Sequence, residues 1–184
     1  DDEVRDAYAY FTAKFDAMSE NTDRIERASV KLLELSSALR AQARRDREET
    51  DNVDVNSIVE EAVVITQAKL RGTEVICALN RDLPLIRCYR SRLGQVVSNL
   101  LSNAADALQE VRSPGKKQQI SVVTETDEYQ GRPGIRLVVS DNGPGVSADI
   151  RDKIFDQFFT TKPAGLGTGL GLAMCADIVK QHGG

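Results

Sequence analysis

The 184-residue sequence predicts an α+β protein built from two units that meet near residues 48–54. Two observations support this prediction. An apolar heptad repeat runs through residues 1–45, and strand-like segments mix with helix-like segments in the rest of the chain. The length suits one hydrophobic core with an appendage, and 41% hydrophobic and 28% charged residues are typical of a globular protein.

The first unit, residues 1–50, is predicted to be one long helix. One phase of its heptad repeat is apolar throughout: Val4, Phe11, Met18, Ile25, Leu32 and Leu39. A repeat of this length without Pro or Gly indicates a helix whose narrow apolar seam packs against other helices. Because one helix cannot bury that seam within itself, we expect a bundle or a homodimer. A long helix that lies on its own domain is the alternative.

The second unit, residues 51–184, opens with a short extended piece and a helix over residues 53–72. Asn56 or Ser57 is the expected N-cap of this helix, and Gly72 comes just past its end. These residue types are the ones that favour helix boundaries, so the helix is expected to fill most of that interval.

Strands and helices then follow in mixed order. TEVICALN and LIRCYR are predicted strands on either side of a turn at Asp82 and Pro84, and QISVVTETD and IRLVVSDNG are two more. Residues 90–111 form an amphipathic helix with apolar side chains along one face, and residues 169–181 form the last helix. This order predicts a mixed sheet packed on helices.

Charge and cysteine content narrow the function classes. A net charge of −4 with scattered Lys and Arg argues against nucleic-acid binding. Cys77, Cys88 and Cys175 lie far apart without a C-x-x-C pair, which argues against a zinc site and fits a reducing compartment. No apolar run approaches the roughly 18 residues of a membrane span. We therefore expect a cytoplasmic location, with any membrane attachment through segments outside this stretch.

The stretch TTKPAGLGTGLGLAMCADIVK, residues 160–180, carries glycines at alternate positions: Gly165, Gly167, Gly169 and Gly171. This glycine density indicates that backbone approaches something closely, and phosphate is the usual candidate. A Walker A loop does not fit because Lys162 precedes the glycines, and a dinucleotide fingerprint does not fit because its third glycine is missing. A flexible linker is the alternative.

Two asparagines on the helix over residues 90–111 are candidate metal ligands. Asn99 and Asn103 lie one helical turn apart, so their amide oxygens project into the same space. Amide oxygens suit Mg²⁺ that keeps several waters and bridges phosphates. Two ordinary surface asparagines are the alternative, although Asn is a poor helix former.

Two further segments precede the glycine stretch. Asp141 ends a β-branched run and begins D-N-G-P-G, where it could accept hydrogen bonds from a ligand amine; a simple turn is the alternative. IFDQFFTTK contains Phe155, Phe158 and Phe159, which we expect to be core or hinge anchors rather than ligand contacts because aromatic rings bury large areas.

These motifs, taken in order, resemble those of one family. N-x-x-x-N-A-x-x-A, D-N-G-P-G, F-D-x-F-F-T-T-K and G-x-G-T-G-L-G-L are similar to the N, G1, F and G2 boxes of bacterial sensor histidine kinases. The resemblance covers residues 51–184 and implies a two-layer α/β sandwich of the Bergerat type, which gyrase and mismatch-repair ATPases share, here without its last strand. Residues 1–45 resemble the second helix of the kinases' dimerisation and phosphotransfer domain, so the first helix is expected upstream.

The resemblance implies roles for the motif residues. Asn103, with Asn99, would hold Mg²⁺ against the ATP phosphates, and Asp141 would accept the adenine amino group. The lid would be residues 160–168, hinged at the glycines, and the last helix would direct its N-terminal amides at phosphate. The implied ATP-binding set is Asn99, Asn103, Asp141, Gly143, Gly145, Lys162, Gly167, Thr168, Gly169, Leu170 and Gly171.

Asn99 favours phosphoryl transfer over hydrolysis. In hydrolysing members of the superfamily a glutamate at this place activates water, and an amide cannot accept a proton at neutral pH. Phosphoryl transfer to a protein side chain needs mainly positioning and charge neutralisation. We therefore expect the γ-phosphoryl group to move from ATP to a histidine and then to the receiver domain of a response regulator.

The phosphoacceptor histidine is not in this stretch. The one histidine, His182, stands in QHGG at the end of the last helix, where a structural role is expected. The acceptor is therefore expected upstream of Asp1. Two alternatives remain open: a kinase-like scaffold that signals through dimerisation without a phosphoacceptor, and a hydrolysing or serine-kinase member of the superfamily.

Overall fold

A computed structural model describes residues 49–110, 117–163 and 167–184, together with a few isolated residues nearer the start of the chain. Those isolated residues are helical and exposed: Lys14, Met18, Thr22, Ser29, Val30 and Leu33. The rest of the predicted heptad helix and the hinge residue Gly165 lie outside the described residues. The chain divides into two compact units, Asp46–Phe159 with Gly169–Gly184, and Asp1–Arg45 with Thr160–Thr168.

The larger unit alternates strands and helices, much as the sequence predicts. In chain order the elements are β1 (Thr50–Val53), α1 (Val55–Thr66), β2 (Thr73–Leu79), β3 (Ile86–Cys88), α2 (Arg90–Glu110), β4 (Gln118–Tyr129), β5 (Arg132–Asp141) and α3 (Gly171–Gln181).

The strands form two separate sheets. β2 pairs with β4 in parallel and β4 pairs with β5 antiparallel, which gives a mixed sheet in the order β2-β4-β5. β1 and β3 pair antiparallel in a small second sheet. The mixed sheet was predicted, whereas the separate β1–β3 pair was not.

Helix α1 begins two to three residues earlier than predicted. Its N-cap is Asp54, whose Oδ1 accepts a hydrogen bond from the Asn56 backbone N–H at 2.9 Å. The prediction of Asn56 or Ser57 as the cap was wrong. Asn56 instead lies inside the helix and uses its side chain for long-range bonds, donating to the Asn80 carbonyl at 2.7 Å and accepting from the Thr124 hydroxyl at 2.8 Å.

One core joins α1 and α2 to a single face of the mixed sheet. Alternate residues of β4 point inward, and the helices present their apolar stripes to them. The largest fully buried apolar side chains are Ile58, Val59, Leu101, Leu108, Ile120 and Val122. Each such side chain contributes about 1.5–3 kcal/mol when it leaves water. The result is a two-layer sandwich of helices on a sheet.

Helix α3 packs on the first half of α2 through a smaller apolar cluster. Cys175 and Ile178 of α3 are buried against Val96 of α2. This contact brings the first turn of α3 beside the middle of α2. The fold thereby places Gly171, at the start of α3, beside Asn99.

Candidate functional site

Helix α2 carries a ridge formed by Asn99, Asn103 and Ala107. These residues are four positions apart and therefore follow one line along the helix, about 12 Å from first to last. The buried residues Val97 and Leu101 fix the rotation of the helix on the sheet. Asn99 and Asn103 are half-buried, so their side chains border the core without entering it.

One end of the ridge contacts the glycine-rich motif. The Asn99 Nδ2 donates to the Gly171 carbonyl at 3.4 Å and to the Cys175 Sγ at 3.8 Å. Because a carbonyl only accepts, the amide nitrogen must face α3, which leaves Oδ1 as the atom of Asn99 that can bind a cation. The structure therefore brings together two site residues that the sequence places in different motifs.

The other end of the ridge contacts the D-N-G-P-G turn. The Asp141 Oδ1 accepts from the Gly143 backbone N–H at 2.9 Å, which closes the turn. A β-carbon at Gly143 would lie 2.6 Å from that oxygen and 3.6 Å from the Ala107 side chain. The hydrogen bond that closes the turn therefore requires glycine at position 143, whereas 3.6 Å to Ala107 is an ordinary van der Waals contact.

Asp141 itself is exposed, as a ligand-binding carboxylate must be. A carboxylate offers about four acceptor positions, and the bond from Gly143 uses one of them. Gly145 has a φ of +75°, and nothing lies within 4 Å of a β-carbon built there. The carboxylate remains accessible to an amino group on a ligand.

Asn142 holds this turn in place, and the sequence reasoning missed it. Its Nδ2 donates to the Lys117 carbonyl at 2.9 Å, and its Oδ1 accepts from the Gln119 N–H at 3.0 Å. Both partners lie at the start of β4. An Asn inside a D-N-G-P-G turn is explained locally by its turn preference, so nothing in the sequence signals these distant bonds.

The base of the predicted lid is a close backbone crossing of Phe158 and Gly169. The Phe158 N–H donates to the Gly169 carbonyl at 2.8 Å, and the two residues have φ values of +67° and +66°. A β-carbon at Gly169 would lie 2.3 Å from the Phe158 carbonyl carbon. Gly169 is therefore required at this crossing, and a hinge here stays a prediction.

Two of the three phenylalanines do not belong to the core. Phe155 is 52% exposed and Phe158 is 67% exposed, whereas Phe159 is half-buried. The expectation was core or hinge anchors: Phe155 and Phe158 are not core residues, but the backbone of Phe158 lies at the predicted hinge. The physical reason is that Phe158 makes its close contact through backbone atoms, which leaves its ring outside.

Residues 160–168 belong to the other compact unit, and within this segment Thr160, Lys162 and Gly167 lie close together. The Lys162 N–H donates to the Thr160 hydroxyl at 3.2 Å. A β-carbon at Gly167 would lie 2.5 Å from that hydroxyl and 3.1 Å from the Lys162 β-carbon. Gly167 therefore permits a close approach of the two sides of this segment. Phosphate contacts by Lys162 and Thr168 remain predictions.

The N-terminus of α3 is suited to an anion. The helix begins at Gly171 after Leu170, whose side chain cannot cap it, and its first turn has no acidic residue. Unsatisfied N–H groups and the helix dipole favour phosphate at such a position.

His182 makes structural contacts through both ring nitrogens. Its Nε2 accepts from the Tyr89 backbone N–H at 3.1 Å, and its Nδ1 lies 2.7 Å from the Ile178 carbonyl, to which it donates. One nitrogen accepts while the other donates, which is the neutral ring. The histidine therefore ties the end of α3 to the residue before α2.

Burial controls the chemistry of the cysteine beside Asn99. Burial raises the pKa of the Cys175 thiol, and the hydrogen bond from Asn99 lowers it in part.

Among the residues that the structure describes, no three His, Cys, Asp or Glu side chains form a metal-binding group. In the same ranges, no helix has the length and hydropathy that crossing a membrane requires.

Comparison with known proteins gives both a family and relatives. A family model described as histidine kinase-, DNA gyrase B-, and HSP90-like ATPase matches residues 88–184. The C4-dicarboxylate transport sensor protein DctB of Pseudomonas aeruginosa is 33% identical over 168 residues, and the sensor histidine kinase ZraS of Escherichia coli K12 is 36% identical over 171 residues. These matches cover 89% and 91% of this chain but 26% and 32% of the relatives. The chain thus spans about a quarter to a third of their length.

Solved structures of similar fold include histidine kinase domains. The mycobacterial sensor histidine kinase MprB has a TM-score of 0.58 at 29% identity, with 74% of this chain and 81% of that chain covered. The nucleotide-free catalytic domain of the histidine kinase ThkA has a TM-score of 0.57 at 31% identity, with 73% and 81% covered. The predicted α+β sandwich is thereby confirmed.

Proposed function

This chain belongs to the histidine kinase-, DNA gyrase B-, and HSP90-like ATPase family and carries the ATP-binding catalytic domain of a sensor histidine kinase. We propose that it transfers the γ-phosphoryl group of ATP to a histidine. The acceptor is a histidine outside residues 1–184, and the phosphoryl group then passes to a response regulator. The observation that carries the proposal is the α2 ridge, which contacts Gly171 at one end and Gly143 at the other.

The two ends of the ridge determine the orientation in which ATP binds. Asp141, at the Gly143 end, accepts the adenine amino group with an oxygen position that the turn leaves open. The uncapped N-terminus of α3, at the Asn99 end, donates its N–H groups to the phosphates. The adenine therefore binds at one end of the ridge and the phosphates at the other.

The donor set beside the phosphates fits Mg²⁺. Asn99 and Asn103 supply amide oxygens, which are hard ligands, and the hydrogen bond from Asn99 to Gly171 directs its Oδ1 away from α3. Bound Mg²⁺ would neutralise part of the charge on the β- and γ-phosphates. Asn103 is the principal ligand in this proposal and Asn99 supports it.

Phosphoryl transfer suits this site better than hydrolysis does. Asn99 stands where a water-activating base would be needed, and its nitrogen is engaged with Gly171 and Cys175. A neutral imidazole needs no base before the attack, because its free nitrogen bonds to the γ-phosphorus while the bond to the bridging oxygen of ADP breaks, and its other nitrogen then releases its proton to water. The chain's part is to hold ATP for that attack.

The partners follow from the same reaction. ThkA, whose catalytic domain resembles this chain, has been solved in complex with a response regulator protein. The heptad repeat of residues 1–45 supports a homodimer that would bring a catalytic domain to an acceptor helix. ATP and response regulators are cytoplasmic, which assigns this chain to the same compartment.

A nucleotide-binding scaffold is the second candidate. The observation that favours it is that both ring nitrogens of His182 bond to backbone, so this histidine does not offer a free nitrogen to phosphate. Such a protein would signal through dimer contacts and would not transfer phosphate.

Radiolabelled ATP separates these candidates. The chain, incubated with γ-labelled ATP and Mg²⁺ together with a histidine-bearing dimerisation helix pair, is expected to give acid-labile phosphohistidine on the helix pair and almost no free phosphate. Steady phosphate release that is abolished by Asn99→Ala would contradict transfer in favour of hydrolysis. Tight ATP binding with no labelled acceptor would favour the scaffold.

A further inference from the structure

Asn142 extends the pairing of β5 with β4 by one residue through its side chain. The antiparallel register pairs Ile120 with Asp141, which makes Gln119 the next partner of the strand. Two residues that face each other as a hydrogen-bonded pair exchange both N–H to carbonyl bonds. The Asn142 N–H donates to the Gln119 carbonyl at 3.2 Å, but the Gln119 N–H donates to the Asn142 side-chain Oδ1 at 3.0 Å. The side-chain oxygen thus replaces the backbone carbonyl of the strand.

This replacement allows the backbone to leave the sheet directly after Asp141. The chain turns at once, so that the Asp141 Oδ1 accepts from the Gly143 N–H at 2.9 Å. A second side-chain bond, from the Asn142 Nδ2 to the Lys117 carbonyl at 2.9 Å, fixes the amide in place. β5 therefore ends at Asp141, and its carboxylate lies at the corner between the strand and the turn.

The start of β4 is itself attached to helix α2. The Gln118 Nε2 donates to the Leu108 carbonyl, and Leu108 follows Ala107 of the ridge. The side-chain bonds of Asn142 therefore join the turn to a segment that is already held on the helix carrying Asn103. Because the Asp141 side chain is exposed, contacts with a surrounding core do not hold it, and its direction depends on the turn to which it belongs.

We propose that Asn142 is a positioning residue for the base of the nucleotide. It ends β5 at Asp141 and anchors the turn on β4, which directs the carboxylate at the adenine amino group. The inference rests on the proposed ATP site and adds base selectivity to it. A fixed carboxylate accepts from an amino group and repels a ring carbonyl, so the site should favour ATP over inosine triphosphate, whose base carries a carbonyl in place of that amino group. Asn142 acts through Asp141 and does not touch the nucleotide.

The test is calorimetric titration of the 184-residue chain with ATP and with inosine triphosphate, each with Mg²⁺. Asn142→Ala is expected to weaken ATP binding about five- to tenfold, because a loosened turn no longer fixes the carboxylate, and to change the affinity for inosine triphosphate by less than about twofold. The preference for ATP, measured as the ratio of the two dissociation constants, should therefore shrink. Asn142→Asp keeps an oxygen for the Gln119 N–H and loses the donor to Lys117, so its preference should lie between those of the wild type and Asn142→Ala.

Asn56→Ala is the matched control, because it removes another Asn side chain that joins distant segments. The Asn56 side chain bonds to the Asn80 carbonyl and to the buried Thr124 hydroxyl, farther along β4. Since a buried hydroxyl then loses a partner, Asn56→Ala should lower the melting temperature at least as much as Asn142→Ala does. Its preference for ATP should equal that of the wild type. An equal loss of preference in Asn56→Ala would overturn the inference, because general loosening of the fold would then explain both variants.

A wild-type preference for ATP in both Asn142 variants would also overturn the inference and leave the ATP site intact. If Asn142→Ala does not fold, the preference of Asn142→Asp decides in the same way. A wild-type chain that binds ATP and inosine triphosphate equally would overturn the inference together with the Asp141 contact, while ATP binding would stand. If the wild type binds neither nucleotide, the proposed function falls as well.

Discussion

The Phe158 N–H and the Gly169 carbonyl are joined by a hydrogen bond of 2.8 Å, with both residues in the left-handed region of backbone conformation. This bond closes the base of the predicted lid, because residues 159–168 connect its two ends along the chain. Left-handed φ is unfavourable for Phe and open to glycine, so Phe158 carries the strain. We expect any movement of the predicted lid to begin at this crossing.

Gly169→Ala is expected to weaken ATP binding about tenfold or more. The added β-carbon would overlap the Phe158 carbonyl carbon, so the crossing must open. Gly131→Ala is the matched control: it has a φ of +75° in the β4–β5 turn with nothing within 4 Å. Both variants should lose about 1–2 kcal/mol of stability from the left-handed φ. Titration with ATP should change only for Gly169→Ala, and equal affinities would contradict the lid-base assignment.

Gly143→Ala is expected to damage the adenine end of the site. Its β-carbon would lie 2.6 Å from the Asp141 Oδ1, so the carboxylate must rotate and release the Gly143 N–H. Loss of that bond costs about 1 kcal/mol of stability, and affinity for ATP should fall about tenfold. Gly134→Ala, in β5 before this turn, would have its nearest neighbour at 3.9 Å and should behave as wild type. Normal binding of adenosine by Gly143→Ala would argue against this assignment.

His182→Ala is expected to destabilise the fold without affecting nucleotide binding. The change leaves the Tyr89 N–H without its acceptor and removes the ring donor to the Ile178 carbonyl, at a cost of about 1–2 kcal/mol. Urea unfolding measures the first effect and ATP titration the second. Lys180→Ala, at an exposed position of the same turn, should change neither. A labelled phosphoryl group that disappears with His182 would show that the residue is a phosphoacceptor.

The free energy of unfolding is expected to fall at alkaline pH because the buried Cys175 thiol loses its proton. Burial raises the pKa of its thiol above the usual 9.0, so the folded protein holds the thiol proton more tightly than the unfolded chain does. The contribution is complete below the unfolded pKa and is lost as the pH rises through the folded pKa. Urea unfolding at pH 7.5 and pH 10 should show a smaller decline for Cys175→Ser than for wild type. Cys77→Ser, at an exposed thiol, should change the decline less.

Local patterns predicted most elements and the site motifs. The amphipathic stripe of residues 90–111 predicted both ends of α2 to within one residue, because the helical period is visible in neighbouring residues. The four-residue spacing of Asn99 and Asn103 likewise placed both on one helix face. The D-N-G turn was recognisable because glycine and Asp have strong turn preferences.

Long-range contacts could not be predicted from the sequence. The bonds of Asn142 to the start of β4, and of Lys69 to Asp106, join residues that are distant along the chain. The cap at Asp54 was missed because several cap-forming residues follow one another there. The exposure of Phe158 accompanies the close approach of its backbone to Gly169, which hydrophobicity alone does not encode.

The central claim is that Asp141 and Asn103 serve the two ends of one ATP molecule, and titration with ATP in the presence and absence of Mg²⁺ tests it most directly. Asp141→Asn keeps one acceptor oxygen for the turn but presents an amide NH₂ group to the adenine amino group. Because both groups donate, affinity should fall at least about tenfold with or without Mg²⁺. Asn103→Ala should weaken binding only when Mg²⁺ is present. Wild-type affinity in both variants under both conditions would contradict the account.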